Sequence, residues 1–375
     1  MTTPFNKPHL TGKETHYIYE AVQLLHLSGN GVFTKKSHRF FEEKYGFKKC
    51  LLTSSCTDAL EMSSILIDIK PSDEVIIPAY TFVSTANAFV LRGAKIIFAD
   101  SLPNHPNIDT SKLEKLITEK TKAIVPVHYA GMACDMDEIM RLANKYNLFV
   151  IEDAAQAIDS FYKGKPLGSF GHLATFSFHE TKNIISGEGG MLVVNDDKLI
   201  NRAEIIWEKG TNRSAFFRGE VNKYGWVDVG SSFLPSEVVA AFLYAQLENL
   251  DNIQNRRKDI WNTYYKGLKP LEDNGKIKLP VVPNHATNNA HMFYLVCNSY
   301  QERTALIAHL KEKKILAVFH YLSLHKSPFY ASKHDGRELI MSDFYEHHLL
   351  RLPFFYDITT EEQQRVIAEI NTFFD

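Results

Sequence analysis

Lys182 stands in ATFSFHETKNIISGEGGMLVV, where a phenylalanine-rich run delivers one lysine into a polar turn bounded by Gly187, Gly189 and Gly190. A lysine with apolar or cationic neighbours gives up its proton readily and then attacks carbonyl carbon. An ordinary solvated lysine fits the same stretch. Asp153 ends an apolar run in FVIEDAAQ; ligands of open α/β sheets collect at such strand ends, and a carboxylate buried there needs a cationic partner to stay ionised. A helix cap at a strand exit is the plainer alternative. In TSSCTDALEMSSILI, small hydroxyl residues follow a strand and open a helix. Free N–H groups and the helix dipole make that position attractive to anions, although a Ser/Thr cap would look identical.

Taken together the three stretches say more than each alone. An anion cradle, a strand-end acid and a lysine 29 residues beyond that acid match the three fixed points that pyridoxal 5′-phosphate (PLP) requires: a phosphate anchor, a pyridinium partner and an amine to trap the aldehyde. Neither the GxxxxGK[ST] loop of nucleotide hydrolases nor the GxGxxG fingerprint of dinucleotide binders occurs in the sequence.

The elements that must position these residues are readable from periodicity. From Leu51 onward, the apolar runs LLT, EVIIPA, AKIIFAD, KAIVPVH and NLFVIEDAA alternate with amphipathic stretches at 58–68, 82–91, 111–117 and 137–146. This pattern predicts βα units around a sheet buried on both faces. HLATFSFH and GGMLVVND continue the unit, and one long helix is expected over 236–268. A smaller α+β unit then follows, with MFYLVC and ILAVFHY as strands and helices at 302–313 and 360–373. The expected division is 1–250 for a large α/β domain and 251–375 for a small C-terminal α+β domain.

Composition narrows the function classes. The 42 Lys and Arg against 44 Asp and Glu leave a net charge of −2, with no basic cluster of the kind that nucleic acid or an anionic membrane requires. No apolar run approaches the roughly 18 residues of a membrane span, and the start lacks a secretory pattern, so a cytoplasmic protein is expected. Cys50, Cys56, Cys134 and Cys297 are scattered without a CxxC pair, which argues for free thiols. With His320 and His325 off helical ligand spacing and His347 adjacent to His348, no metal is expected.

The motifs PSDEVIIPAYTFVSTANAF, RGAKIIFAD, VPVHYAG, VIEDAAQA, FSFHETKN and GEGGMLVVND resemble the DegT/DnrJ/EryC1/StrS group of PLP-dependent sugar aminotransferases. The resemblance runs from about Gly31 to the long helix and continues more weakly to the C-terminus. HETKN, EKGTNRSAFFRGEVNKYGW and NAHMFY resemble in particular the members acting on dTDP-linked 4-keto-6-deoxy sugars.

The resemblance implies a fold-type I aminotransferase, with a large mixed-sheet α/β domain, a smaller α+β domain and a homodimer with shared active sites. Lys182 would hold PLP as an imine and serve as the proton-transfer base, and Asp153 would pair with the pyridinium nitrogen. Phe82 would stack on the ring and Gln156 would contact its hydroxyl. Ser55, Cys56, Thr57 and Ser177 would hold the phosphate. Ser232 stands where many members place an asparagine that reaches the partner subunit's phosphate, and the arginine that accompanies it is absent. Lys209, Arg213 and Arg218 would meet the sugar nucleotide's pyrophosphate, and His320 and Tyr321 lie in a motif near the substrate. The implied reaction takes an amino group from glutamate to a 4-keto sugar on the way to a surface polysaccharide.

Three competing readings remain from the sequence. A dehydratase of the same fold would carry histidine in place of Lys182. A noncatalytic sugar-nucleotide sensor would not need Lys182, Asp153 and the anion cradle together. A nicotinamide-dependent oxidoreductase would show the missing glycine fingerprint.

Overall fold

The computed structural model describes residues 2–375. The first strands are β1 (Lys49–Thr53), β2 (Glu74–Pro78), β3 (Lys95–Ala99), β4 (Thr121–Ile124), β5 (Phe149–Asp153), β6 (Phe161–Tyr162), β7 (Lys165–Pro166), β8 (Leu173–Ser177) and β9 (Gly190–Val194). Between and around them lie α1 (Glu14–Gln23), α2 (Val32–Tyr45), α3 (Cys56–Leu66), α4 (Val83–Val90), α5 (Met136–Tyr146), α6 (Asp197–Trp207), α7 (Arg213–Phe217) and α8 (Glu237–Leu247). Seven strands form one sheet in the order β1–β9–β8–β5–β4–β2–β3, while β6 and β7 make a separate ribbon. Strands β3, β2, β4, β5 and β8 are parallel, and β9 runs antiparallel between β8 and β1.

The continuous apolar runs are explained by this burial. Successive strand residues feed two different cores: Ile76, Ile124 and Val150 pack on one face with α5 and α8, while Val75, Ala123 and Ile151 pack on the other with α3, α4 and α6. A sheet covered on both sides has no polar face, so its strands lose the simple apolar–polar alternation.

The C-terminal part adds α9 (Leu250–Asp273), β10 (Ile277–Lys278), β11 (Tyr294–Cys297), α10 (Tyr300–Glu312), β12 (Val318–Phe319), α11 (Ile340–His348), β13 (Leu349–Arg351) and α12 (Thr360–Phe374). Its antiparallel sheet has the order β10–β11–β13–β12. Helix α9 joins the two sheets: Leu250 and Ile253 belong to a large-sheet core, whereas Ile260, Tyr264 and Leu268 belong to the core under the small sheet.

Three expectations are corrected. The single helix over 236–268 is two helices, because Asn249 interrupts it: its side-chain amide donates to the Ala245 carbonyl at 3.1 Å and its own N–H turns back to Gln246 at 3.0 Å. The stretch at 111–117 is a 3-10 turn, Thr110–Leu116, capped by Asp109, whose side chain accepts from the Ser111 N–H. In ILAVFHY the strand stops at Phe319, because Tyr321 takes a left-handed conformation with φ +50° that no strand accommodates. Among the described residues no helix is long and apolar enough to cross a membrane.

Candidate active site

The parallel strands bring their carboxyl ends to one edge of the sheet, and β1, twice reversed through β9 and β8, ends there too. A cleft of about 580 Å³ opens at that edge, roofed by the segment after β12 and by β13. This is where an open α/β sheet collects ligands.

In β5 the period of two separates the neighbouring carboxylates. Glu152 is fully buried away from the cleft, accepting from the amides of Gly168, Phe170 and Gly171 and facing His128 Nε2 at 3.0 Å. Burial pushes its pKa up, but His128 and these amides outweigh that and hold it below the usual carboxylate range. Asp153 turns into the cleft. Thr85 Oγ1 donates to its Oδ2 at 2.7 Å and the Ala155 N–H to its Oδ1 at 3.1 Å. For Asp153 burial wins and the pKa is raised, with Thr85, Ala155 and the positive charge of Lys182 opposing. A cation placed against this carboxylate would restore its charge.

Lys182 sits in the loop between β8 and β9, its N–H bonded to the His179 carbonyl at 2.9 Å. The loop is closed by Phe178 with Gly189 and by Glu180 with Gly187. The next residue, Asn183, is buried and donates to Gln254 and to the Asn289 carbonyl, both at 2.8 Å, while His291 meets its Oδ1 at 2.9 Å. Burial lowers the Lys182 pKa and the charge of Arg351 lowers it further, against Cys56 and Asp153. The amine is thereby biased toward its neutral, nucleophilic form.

The anion cradle is the N-terminus of α3. Ser55 caps it, accepting from the Asp58 N–H at 3.0 Å, which leaves the hydroxyl proton for a ligand. Thr57 Oγ1 donates to Ser84 Oγ at 2.8 Å and so ties the starts of α3 and α4 together. A Cβ on Gly190 would lie 2.4 Å from the Cys56 nitrogen. Glycine at the first residue of β9 is what lets the helix start lie against the strand. Ser177, at the end of β8, also lines the cleft.

Phe82 precedes α4 and is 54% exposed, its ring open to the cleft and 6.2 Å from that of Tyr321. Gln156 is buried; its oxygen accepts from the Ala130 N–H at 2.6 Å and its amide donates to Tyr321 OH at 3.0 Å. His320 Nδ1 meets Tyr129 OH at 2.8 Å. Tyr80 OH donates to the His320 carbonyl. Burial and the charges of Arg351 and Lys182 keep His320 neutral, far below the ordinary histidine range.

The structure therefore brings Lys182, Asp153, Gln156, Phe82, Ser55, Cys56, Thr57, Ser177, His320 and Tyr321 to one cleft. The remaining candidates lie elsewhere on this chain. Ser232 is exposed and bridged to Glu208. Lys209 and Arg213 are exposed, the latter with its guanidinium over Phe217. Arg218 is held in ion pairs with Glu204 at 2.8 Å and Glu220 at 2.7 Å. Among the cleft residues that escaped sequence reasoning are Thr85, His291 and Arg351. His291 falls inside the quoted NAHMFY; Arg351 in HLLRLPFF has no local signature and reaches the cleft through sheet topology.

These residues fit PLP. A helix start flanked by hydroxyls suits its phosphate, a buried carboxylate suits a pyridinium, and an exposed aromatic face suits its ring.

The comparisons agree with this chemistry. The model of the DegT/DnrJ/EryC1/StrS aminotransferase family matches residues 9–371. GDP-perosamine synthase of Escherichia coli O157:H7 is 33% identical over 378 residues, covering 99% of this chain and 98% of that protein. Among solved structures, Helicobacter pylori PseC, an aminotransferase involved in the biosynthesis of pseudoaminic acid, superimposes with a TM-score of 0.91 at 25% identity, covering 100% of this chain and 99% of that one. S. venezuelae DesV, solved in complex with a ketimine intermediate, gives a TM-score of 0.90 at 27% identity, with 99% and 98% covered. With the family model spanning nearly the whole chain and a fold-type I architecture around a PLP-shaped cleft, the protein belongs to the DegT/DnrJ/EryC1/StrS aminotransferase family and is a PLP-dependent sugar aminotransferase.

Proposed function

We propose that the enzyme moves the amino group of L-glutamate to C4 of dTDP-4-keto-6-deoxy-D-glucose, giving dTDP-4-amino-4,6-dideoxy-D-galactose for a surface polysaccharide. The observation that carries the aminotransferase chemistry is the pairing in one cleft of a lysine with a depressed pKa and a buried carboxylate, Lys182 and Asp153. The dTDP-sugar assignment is supported by HETKN, NAHMFY and the stretch from Glu208 to Trp226.

PLP bound here supplies an aldehyde for the donor amine and a ring that takes up the electrons released when a C–H bond breaks. The protein's part is positioning and proton traffic. Lys182 would hold the cofactor and, once freed by the substrate amine, would act as the base and acid that moves a proton off the donor's α-carbon and, in the opposite sense, onto the sugar carbon. Asp153, kept ionised by the pyridinium and by Thr85, holds the ring protonated. Gln156 and Phe82 would hold the cofactor's ring, and the start of α3 would hold its phosphate.

We further place the enzyme in the cytoplasm as a homodimer. The free thiols of all four cysteines accord with a reducing compartment. Trp226, 85% exposed, and Phe217, 68% exposed, accord with a covered surface around the segment carrying Lys209, Arg213, Arg218 and Ser232. In that assembly these residues serve the partner's cleft. Light scattering that finds monomer alone at working concentration would overturn the dimer.

A second reading is favoured by the relative named GDP-perosamine synthase: a GDP-linked keto sugar as acceptor. Mass spectrometry of products from dTDP- and GDP-linked 4-keto-6-deoxy sugars with glutamate separates the two. An aminated dTDP-sugar supports the first, an aminated GDP-sugar the second, and no aminated sugar from either sinks both.

A further inference from the structure

A chain of buried hydrogen bonds decides where the proton of His291 sits. Gln254 of α9 turns its side-chain NH2 toward the Asp159 carboxylate and the Asn289 carbonyl, 3.5 and 3.4 Å away, so its oxygen is left for Asn183. Asn183 donates to that oxygen and to the Asn289 carbonyl, both at 2.8 Å. Both partners only accept, so the orientation of the Asn183 amide has no alternative, and its Oδ1 is what meets His291 Nδ1 at 2.9 Å. Nδ1 must therefore carry the proton. Nε2 is left with a lone pair and has no hydrogen-bond partner among the described residues, while the ring lines the cleft that holds Lys182. The backbone is pinned as firmly: the His291 N–H donates to Asn289 Oδ1 at 3.0 Å, and Arg257 of α9 donates to the carbonyls of Ala290 at 3.1 Å and His291 at 2.6 Å. Burial and the neighbouring cations, Lys182 first among them, keep the ring neutral.

A neutral acceptor suits few partners in this cleft. Its lone pair repels carboxylates and phosphates and needs an N–H or an O–H. Its anchor singles out one such group: Asn183 follows Lys182 in the chain, so the acceptor is held in register with the lysine's own backbone, a tether that an acceptor for a sugar hydroxyl does not need. We propose that His291, oriented by Asn183, is a positioning residue for Lys182, accepting an N–H of its amine once the cofactor has released it. The inference rests on Lys182 being the proton-transfer base and goes beyond it by naming what aims that base. Holding one amine hydrogen on His291 Nε2 restricts rotation about the end of the side chain and leaves the nitrogen's lone pair for the reacting carbon. When the amine takes up a proton, the same hydrogen bond becomes charge-assisted and strengthens. It thereby offsets part of the loss of basicity that burial and Arg351 impose on Lys182.

Nitrogen NMR of histidine-labelled apoenzyme, with the His291 signals assigned by their loss in His291→Gln, reads the tautomer without turnover. The proton should sit on Nδ1; a proton on Nε2 would overturn the inference. For the reaction, the PLP form is mixed rapidly with L-glutamate and the pyridoxamine form with keto sugar. Lys182 serves both half-reactions, so His291→Phe, which keeps a ring and removes the acceptor, should slow the two alike, on the order of 10- to 100-fold, the size of a lost hydrogen bond to a charged group. Substrate dissociation constants, read from the saturation of the same rates, should move by less than about threefold. His291→Gln sets an amide oxygen near the place of Nε2 and should recover most of the lost rate, a rescue that a merely structural role would not give. Should His291→Phe not fold, the tautomer in wild-type apoenzyme still decides. A loss confined to the sugar half-reaction would assign His291 to a sugar hydroxyl and overturn the inference, and so would weakened substrate binding at unchanged rates. A Lys182→Ala enzyme that keeps its turnover overturns the reading of Lys182 as the base, and this inference with it, whatever the tautomer.

Discussion

Thr85 Oγ1 donates to Asp153 Oδ2 at 2.7 Å, linking the first turn of α4 to the end of β5. The bond opposes the burial that raises the Asp153 pKa, so it favours the ionised form that a protonated pyridine needs. Thr85→Val keeps the side chain's shape and removes the donor. A hydrogen bond to a charged group contributes about 1.5–3 kcal/mol, so PLP affinity should fall on the order of 10- to 100-fold. Titration of apoenzyme with PLP, followed by absorbance, measures it; unchanged affinity would mean that Asp153 does not carry charge in the holoenzyme.

Asp153 also sets opposite demands on apoenzyme and holoenzyme. Its folded pKa lies above the unfolded value. The stability tied to its neutral form is therefore fully present below the unfolded pKa and lost as pH rises through the folded one. Asp153→Asn removes that loss, so the variant apoenzyme should melt higher than wild-type apoenzyme at neutral pH. The gap should shrink toward acid. In the presence of PLP the order should reverse, because the variant has no carboxylate for the pyridinium. Melting curves across pH with and without PLP check both signs.

The large sheet was legible because its strands are buried on both faces and read as plain apolar runs. Asp153 and Lys182 were legible because each lies at or just beyond such a run: Asp153 follows FVIE directly, and Lys182 comes in the turn after ATFSF. Arg351 was not, since a strand of three residues carries no periodic signal and its place over the cleft depends on β13 pairing between β11 and β12. Lys209, Arg213 and Arg218 lie away from this chain's own cleft, where Arg218 pairs with Glu204; the pyrophosphate role proposed for them depends on a second copy of the chain, which no local pattern encodes.

Lys182 should behave as an unusually reactive amine in the apoenzyme. Burial and Arg351 depress its pKa below the ordinary lysine value of 10.5. The rate of imine formation with PLP should therefore rise with pH and level off before that value is reached. Borohydride reduction and peptide mapping should place the adduct on Lys182. Lys182→Ala should lose the adduct, the visible absorbance and all turnover; normal turnover in that variant would remove the lysine from the mechanism.

Gly190 tests the phosphate cradle apart from the imine. A Cβ there would sit 2.4 Å from the Cys56 nitrogen and 2.5 Å from the Ser55 carbonyl oxygen. Both contacts are backbone, so the start of α3 has to move away from β9. Gly190→Ala should destabilise the protein by roughly 1–3 kcal/mol, the usual size of an overpacking penalty, seen as a lower denaturant midpoint. The phosphate should lose its partners while Lys182 and Asp153 keep theirs. Affinity for PLP should then fall toward that for pyridoxal, which has no phosphate, whereas pyridoxal binding itself should change little. A variant that weakens both ligands equally would show that α3 supports the whole pocket and does not act as the phosphate's own anchor.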